Sequence, residues 1–228
     1  MEQKLTILFD LDGTLIDTAP DLMEAHNYVM KKFGYVEKKI NDIKKLAGRG
    51  SKVMIHKSIQ QIAESTGKVK MSSEKIENEM TKDFIDYYSQ NICNKSRLNL
   101  GALEFLNWCK KKRLSMGICT NKKEHLSIDL LKKIKIYDYF EYVAGGNTFN
   151  YNKPDPRHLT DVVDILGGKI KKTIMIGDSE TDSNAAKQAG ITFILIEEGY
   201  TEKKTNQIHF DHAVKNFLGL EKIIEKYL

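Results

Sequence analysis

The spacing of apolar residues divides the chain into two parts. Between about residue 17 and residue 90, apolar side chains recur at the spacing of one helical face, as in Leu22, Ala25 and Val29. Asp17 or Thr18 can cap the first of these helices, and Gly34 ends it. The pattern predicts four helices, over residues 18–33, 39–46, 51–65 and 73–90. Glycine-containing segments at 48–50 and 67–70 separate the later helices, and no strand of normal length is predicted among them.

The rest of the chain alternates between strand and helix patterns. Residues 5–9 form a short apolar run without polar breaks, which predicts a strand buried on both faces at the centre of a parallel sheet. Further strands are predicted at 114–119, 140–144, 173–177, 191–196 and near 209–214. Helices are predicted over 100–112, 123–134, 156–166, 180–189 and 216–227. Repeated strand–helix units indicate an α/β fold, a Rossmann-like parallel sheet with helices on both faces.

The helical stretch interrupts this sheet after its first strand. A simple crossover between parallel strands does not need that much helix, so we interpret it as an inserted α-helical cap domain. The predicted catalytic core comprises residues 1–15 and 98–228, and the predicted cap comprises residues 16–97. The chain would leave and rejoin the core at hinges near 15–18 and 91–98.

Charge and composition narrow the function classes. The 228 residues carry a formal net charge of +5, and basic runs such as Lys110 to Arg113 lie on predicted solvent faces of helices rather than in one patch with aromatic residues. We therefore expect neither nucleic acid nor membrane as a partner, and no run approaches the roughly 20 apolar residues of a membrane span. The expected partner is a small molecule, and the expected assembly is a monomer or homodimer.

The cysteines and the N-terminus indicate the compartment. Cys93, Cys109 and Cys119 are odd in number and show neither close pairing nor metal-ligand spacing, which favours a reducing compartment. The apolar run before Asp10 is too short for the core of a signal peptide. The expected location is cytoplasmic.

Polar side chains follow the predicted strands. Asp10 and Asp12 come directly after the central strand, where ligands of open α/β sheets bind, although a DxDG sequence alone could be a solvated turn. Thr120 follows another strand and Asp178 a third, whereas Lys153 lies in a loop. Taken singly, Thr120 could be a helix cap and Lys153 an exposed loop residue. Asp178 and Asp182 could cap a helix N-terminus.

The order Asp, Thr, Lys, Asp along the chain resembles the haloacid-dehalogenase-like hydrolase superfamily, and the resemblance covers essentially the whole sequence. The segments FDLDGTLIDTAPDL, GGNTFNYNKPDP and GDSETDSNAAKQAG look most like the phosphoglycolate phosphatase group. The resemblance implies a Mg²⁺-dependent phosphatase that hydrolyses a small phosphorylated metabolite, 2-phosphoglycolate in the first place, through an aspartyl-phosphate.

The resemblance also implies a role for each motif residue. Asp10 would be the nucleophile, and Asp12 would protonate the leaving group and then activate water. Asp10 and Asp178 would be side-chain ligands of Mg²⁺, and Asp12 would add its backbone carbonyl. Asp182 would hold a metal-bound water or Lys153.

Substrate contacts follow from the same resemblance. Thr120 would bind a phosphoryl oxygen, assisted by backbone donors near Asn121, and Lys153 would neutralise the nucleophile and the transferring group. In the cap, Arg49 between Gly48 and Gly50 would face the carboxylate of the substrate, since arginine matches a carboxylate bidentately. A solvated turn is the alternative for Arg49.

Other activities of the superfamily use the same core. A hydrolytic dehalogenase lacks the second acid, so Asp12 argues against it. A non-catalytic scaffold would have lost at least one motif residue, and none is missing. A phosphomutase usually has DGV where this chain has Asp12-Gly13-Thr14. Pyrophosphate, nucleotide monophosphate and sugar phosphate stay open as alternative substrates.

Overall fold

The computed structural model describes residues 4–66, 73–201 and 203–228. The predicted break at 67–70 therefore lies outside the described residues. In chain order the strands are β1 Thr6–Phe9, β2 Ile16–Asp17, β3 Arg97–Leu98, β4 Ser115–Cys119, β5 Tyr142–Ala144, β6 Thr173–Gly177, β7 Thr192–Ile196 and β8 His212–Val214. The helices are α1 Ala19–Lys32, α2 Ile40–Leu46, α3 Ser51–Thr66, α4 Glu74–Asn91, α5 Ala102–Lys111, α6 Glu124–Lys133, α7 Arg157–Ile165, α8 Glu180–Ala189 and α9 Glu221–Ile224.

Six strands form one parallel sheet in the order β5-β4-β1-β6-β7-β8. The predicted central strand is central: Phe9 of β1 lies opposite Ile118 of β4 on one side and Ile176 of β6 on the other. All four residues of β1 are buried, because helices cover both faces of the sheet. The α/β fold class is confirmed.

Helices α1 to α4 form the inserted layer. Helix α1 contacts α4, where the rings of Tyr28 and Tyr87 stack with their centroids 4.3 Å apart. Apolar residues of this layer, such as Met30, Met80 and Phe84, belong to one hydrophobic cluster with residues of the sheet. The inserted helices are therefore packed onto the core rather than held away from it.

The chain passes between sheet and helices through a short antiparallel ladder. Ile16 of β2 pairs with Leu98 of β3, and Asp17 pairs with Arg97. The buried carboxylate of Asp21 accepts hydrogen bonds from the backbone N–H of Lys95 and from the N–H of Ser96, at 2.8 and 2.9 Å. This ladder lies at the predicted hinges, and the proposed division into core and cap stays a prediction.

The last helix and strands β5 and β8 are shorter than predicted, and β8 begins at His212 rather than near residue 209. Residues 216–227 do not form one helix: Gly219 adopts a φ of 78°, which a helix cannot contain, and only Glu221–Ile224 is α-helical, followed by a 3₁₀ turn at Glu225–Tyr227. Strand β5 begins at Tyr142, two residues after its predicted start, and follows another 3₁₀ turn at Tyr137–Tyr139. None of these changes reaches the carboxyl ends of the central strands. No helix in the described part of the chain has the length and apolarity needed to cross a membrane.

Candidate active site

The carboxyl ends of β1, β4 and β6 bring the predicted residues together. Asp10 follows β1, Thr120 follows β4 and Asp178 follows β6, and all three are buried. Because these strands are adjacent and parallel, their ends lie at one edge of the sheet. Gly13 turns the chain there with a φ of 88°, and a Cβ at this position would lie 2.4 Å from the Asp178 Oδ2 atom. Only glycine allows this close approach.

Three buried carboxylates form the floor of the site. Asp10, Asp178 and Asp182 each offer an oxygen, and these oxygens lie within 4.8 Å of one another. Thr14 donates a hydrogen bond of 2.9 Å to Asp178 Oδ1, and the backbone N–H of Tyr200 donates to Oδ2. Burial, together with the charges of Asp10 and Asp182, raises the pKa of Asp178 well above its usual value. The carboxylates therefore repel one another and attract a cation.

Lys153 supplies one fixed positive charge to this floor. Its Nζ lies 2.9 Å from Asp10 Oδ1 and 2.5 Å from Asp182 Oδ1. Burial alone would lower the pKa of the lysine, but the two carboxylates outweigh it and raise the pKa. Burial raises the pKa of Asp10 to about 6, against the opposing charge of Lys153. One ammonium between two carboxylates keeps Asp10 positioned but leaves negative charge in excess.

Both carboxylate oxygens of Asp182 contact other groups of the protein. Its Oδ2 accepts hydrogen bonds from Ser179 Oγ at 2.7 Å, Ser179 N at 3.1 Å and Asp178 N at 3.3 Å, and its Oδ1 contacts Lys153. The bond from Ser179 N is one half of a capping box at the start of α8, and the Ser179 side chain accepts from the backbone of Asp182 in the other half. The geometry favours the role of holding Lys153 over a direct metal bond, and the assignment as a metal ligand stays a prediction.

The remaining oxygens suit a divalent cation. Among the described residues no donor meets Asp10 Oδ1 with hydrogen-bond geometry, although Lys153 lies close enough for an ion pair. Buried carboxylate oxygens without enough donors are hard ligands, which Mg²⁺ and Ca²⁺ prefer. Each Asp178 oxygen accepts one hydrogen bond and keeps a second lone pair, so Asp10 and Asp178 together fit a cation at this edge of the sheet.

Thr120 and Asn121 lie beside the acids as predicted. The Thr120 backbone N–H donates to the carbonyl of Ala144 at 2.9 Å, which fixes the loop after β4. Asn121 Nδ2 donates to the carbonyl of Lys153 at 2.9 Å and to that of Gly48 at 3.2 Å. Its side chain thus connects the lysine loop to the cap loop, and its part in binding phosphate stays a prediction.

Sequence reasoning missed Lys122. Its Nζ donates to both carboxylate oxygens of Asp12, at 3.0 and 3.1 Å, and to the hydroxyl of Tyr88 at 2.9 Å. Tyr88 belongs to α4 of the inserted layer, so this lysine connects the loop after β4 to that layer. Its position directly after Thr120 and Asn121 was the available signal. Its partner Tyr88 could not be found from spacing.

Arg49 lies in the loop between α2 and α3, above the acids. Its guanidinium lies 3.9 Å from the Glu180 carboxylate, and its side chain is 43% exposed. Arg49 lines a cavity of about 300 Å³ between the inserted layer and the strand ends. The loops at the strand ends contribute Asp10, Asp12, Thr120, Asn121 and Lys122 to this cavity, and the inserted layer contributes Leu22, Arg49, Met54, Phe84 and Tyr88. The role of Arg49 toward a substrate stays a prediction.

Together, the Rossmann-like sheet, the acid–lysine cluster and the cavity above them define a hydrolase that acts on a small phosphorylated molecule. The family model of haloacid dehalogenase-like hydrolases matches residues 7–196, and the chain belongs to that family. The predicted superfamily is confirmed.

The matches to similar proteins cover nearly the whole chain. A phosphoglycolate phosphatase of Mesorhizobium japonicum is 34% identical over 214 residues, which cover 94% of this chain and 92% of that protein. One of Caulobacter vibrioides is 32% identical and covers 95% of this chain and 89% of its own. The crystal structure of a predicted phosphoglycolate phosphatase from Haemophilus somnus superposes with a TM-score of 0.90 at 27% identity, over 98% of this chain and 99% of that one.

Proposed function

We propose that this protein is a Mg²⁺-dependent phosphatase that hydrolyses 2-phosphoglycolate to glycolate and phosphate. The observation that carries the proposal is the position of Asp10. It lies at the base of the cavity, 2.9 Å from Lys153 and within reach of Asp178. The names of the relatives that are 32–34% identical support the choice of substrate.

The chemistry starts from Asp10. Its carboxylate attacks phosphorus and displaces the glycolate oxygen, which gives an aspartyl-phosphate. Lys153 and Thr120 bind the phosphoryl oxygens and stabilise the charge that develops on them. A Mg²⁺ ion held by Asp10 and Asp178 would neutralise negative charge in the same place.

Asp12 acts first as the general acid and then as the general base. It donates a proton to the departing alkoxide and then accepts one from the water that attacks the aspartyl-phosphate. Water must enter for the second step but not the first, and a cap that covers the cavity can provide this order. Asp182 keeps Lys153 in place throughout.

Phosphatase assays on a small substrate panel test the proposal. The purified protein with Mg²⁺ is assayed on 2-phosphoglycolate, pyrophosphate, a nucleoside monophosphate and glucose 6-phosphate. We expect kcat/KM to be highest for 2-phosphoglycolate by about 10-fold or more, the factor that one charge-assisted contact provides. A higher kcat/KM on any other panel member would remove the substrate assignment.

Compartment and assembly complete the proposal. The three cysteines are free thiols in the described structure, which supports a cytoplasmic location. We propose a monomer or homodimer, and light scattering with mass determination would decide between them.

A further inference from the structure

A buried lysine lies between the proposed acid–base residue and the cap. The Lys122 side chain is 5% exposed and that of Asp12 is 11% exposed. The ammonium group contacts both Asp12 oxygens and the Tyr88 hydroxyl, so its three donors are all used. Its Nζ also lies 4.3 Å from the centre of the Tyr88 ring, a cation–π contact.

While Asp12 is paired with Lys122, it cannot act as the proposed general acid. Both Asp12 oxygens face Lys122, whereas a general acid must reach the leaving oxygen of the substrate within hydrogen-bond distance. Asp12 must therefore give up at least one of these bonds. Leaving the buried ammonium without a partner would be costly, because a buried charge is stable only when it is paired.

We propose that the carboxylate of the substrate replaces Asp12 on Lys122. The incoming carboxylate would pair with the ammonium, and Asp12, freed from that charge, would take up a proton from water and turn to the oxygen between carbon and phosphorus. Lys122 would then determine specificity: substrates with a carboxylate on the leaving group release Asp12, and neutral ones do not. This inference rests on the proposed function and refines it.

Burial favours Lys122 over Arg49 as the main carboxylate contact. The Arg49 side chain is 43% exposed and lies near Glu180, and exposed ion pairs contribute little free energy. Lys122 lines the same cavity but is shielded from water, where a charge–charge contact is stronger. Arg49 then lies at the rim.

Tyr88 makes this site depend on the cap. Its hydroxyl is the only cap group among the described residues that hydrogen-bonds to the Lys122 ammonium. The anion site is therefore complete when α4 covers the strand ends, which joins substrate selection to closure of the cavity.

Two substrates that differ only in the carboxylate test the inference. In 2-hydroxyethyl phosphate a hydroxymethyl group replaces the carboxylate of 2-phosphoglycolate. The parent, Lys122→Gln, Arg49→Ala and Lys123→Gln are assayed on both with Mg²⁺. Glutamine keeps a donor for Asp12 but no charge. Lys123, the exposed neighbour that lines the same cavity, controls for loss of one positive charge there.

We expect Lys122→Gln to lower kcat/KM for 2-phosphoglycolate by about 10- to 100-fold. On 2-hydroxyethyl phosphate the same variant should stay within about threefold of the parent or become faster, since Asp12 is no longer bound to a cation. The Arg49→Ala and Lys123→Gln variants should each lose about threefold or less on either substrate.

Three results would overturn the inference. Parallel losses on both substrates in Lys122→Gln would mean that the lysine only supports Asp12 or the cap. A larger selective loss in Arg49→Ala or Lys123→Gln would move the carboxylate contact to that residue. If Lys122→Gln does not fold, the parent still decides, since equal kcat/KM values on the two substrates exclude a carboxylate-dependent release. Failure of the parent to hydrolyse 2-phosphoglycolate would instead remove the proposed function, and the inference with it.

Discussion

The cavity has a floor at the strand ends and a roof formed by α4 and the loop between α2 and α3, and the two are built differently. On the floor, Asp10, Asp178, Asp182 and Lys153 are all buried and are held by one another and by strand ends. On the roof, the Arg49 side chain is 43% exposed, and the Tyr88 hydroxyl accepts a hydrogen bond from Lys122 of the loop after β4. A fixed floor suits a phosphoryl transfer that all substrates share. The roof can change without disturbing it, so we assign substrate choice to the roof and to the lysine below it.

The largest effect should come from the floor. Asp10→Asn keeps the shape of the side chain but removes the nucleophile, so kcat should fall by about 1,000-fold or more on every substrate. The melting temperature should hardly change, because Lys153 keeps its contact with Asp182. Activity and a melting curve on the same preparation check both statements. Turnover within a few-fold of the parent would show that Asp10 is not the nucleophile.

The substitution Asp178→Asn should have a smaller effect, on the melting temperature. It separates metal binding by the floor residues from their contribution to stability. In Asp178→Asn, the amide oxygen can accept from the Tyr200 N–H and the amide nitrogen can donate to Thr14, so both present contacts can be kept. The change also removes repulsion among three carboxylates. The pKa of Asp178 is raised in the fold, so the parent loses stability as pH rises above the unfolded value.

We therefore expect Asp178→Asn to melt about 2–4 °C above the parent at pH 8 in EDTA, the shift for roughly 1 kcal/mol in a chain of this size. Mg²⁺ should raise the melting temperature of the parent, by mass action, and not that of the variant. Asp164→Asn, an exposed control on α7, should change neither. Two results would contradict this account: a melting temperature of Asp178→Asn below that of the parent in EDTA, or an equal rise in melting temperature with Mg²⁺ in the parent and the variant.

Much of the floor could be predicted from the sequence. Each of β1, β4 and β6 is an apolar run that ends in a polar residue, and parallel strands bring such ends together, so Asp10, Thr120 and Asp178 were predicted as neighbours. Lys153 required the family resemblance, because its loop has no pattern of its own. The capping contacts of Asp182 agree with the alternative drawn from sequence, and they coexist with its hold on Lys153.

The roof could not be predicted in the same way. Helical spacing gave the four cap helices, but it does not say how they rest on the sheet. The bond between Lys122 and Tyr88 joins a loop of the core to α4, and tertiary packing alone determines it. Near the C-terminus, apolar spacing predicted a helix over 216–227, but the positive φ of Gly219 shortens it. The local sequence pattern therefore predicted the catalytic residues better than the residues proposed to select the substrate.

Trapping the covalent intermediate tests the central claim most directly. The protein is mixed with 2-phosphoglycolate and Mg²⁺, quenched in acid within one turnover, reduced with borohydride and digested for mass spectrometry. Borohydride converts an aspartyl-phosphate to homoserine, so we predict homoserine at position 10 in the parent and none in a reaction without substrate. Conversion at another aspartate, or none at any position while phosphate is released in a burst, would contradict the account of Asp10 as the nucleophile.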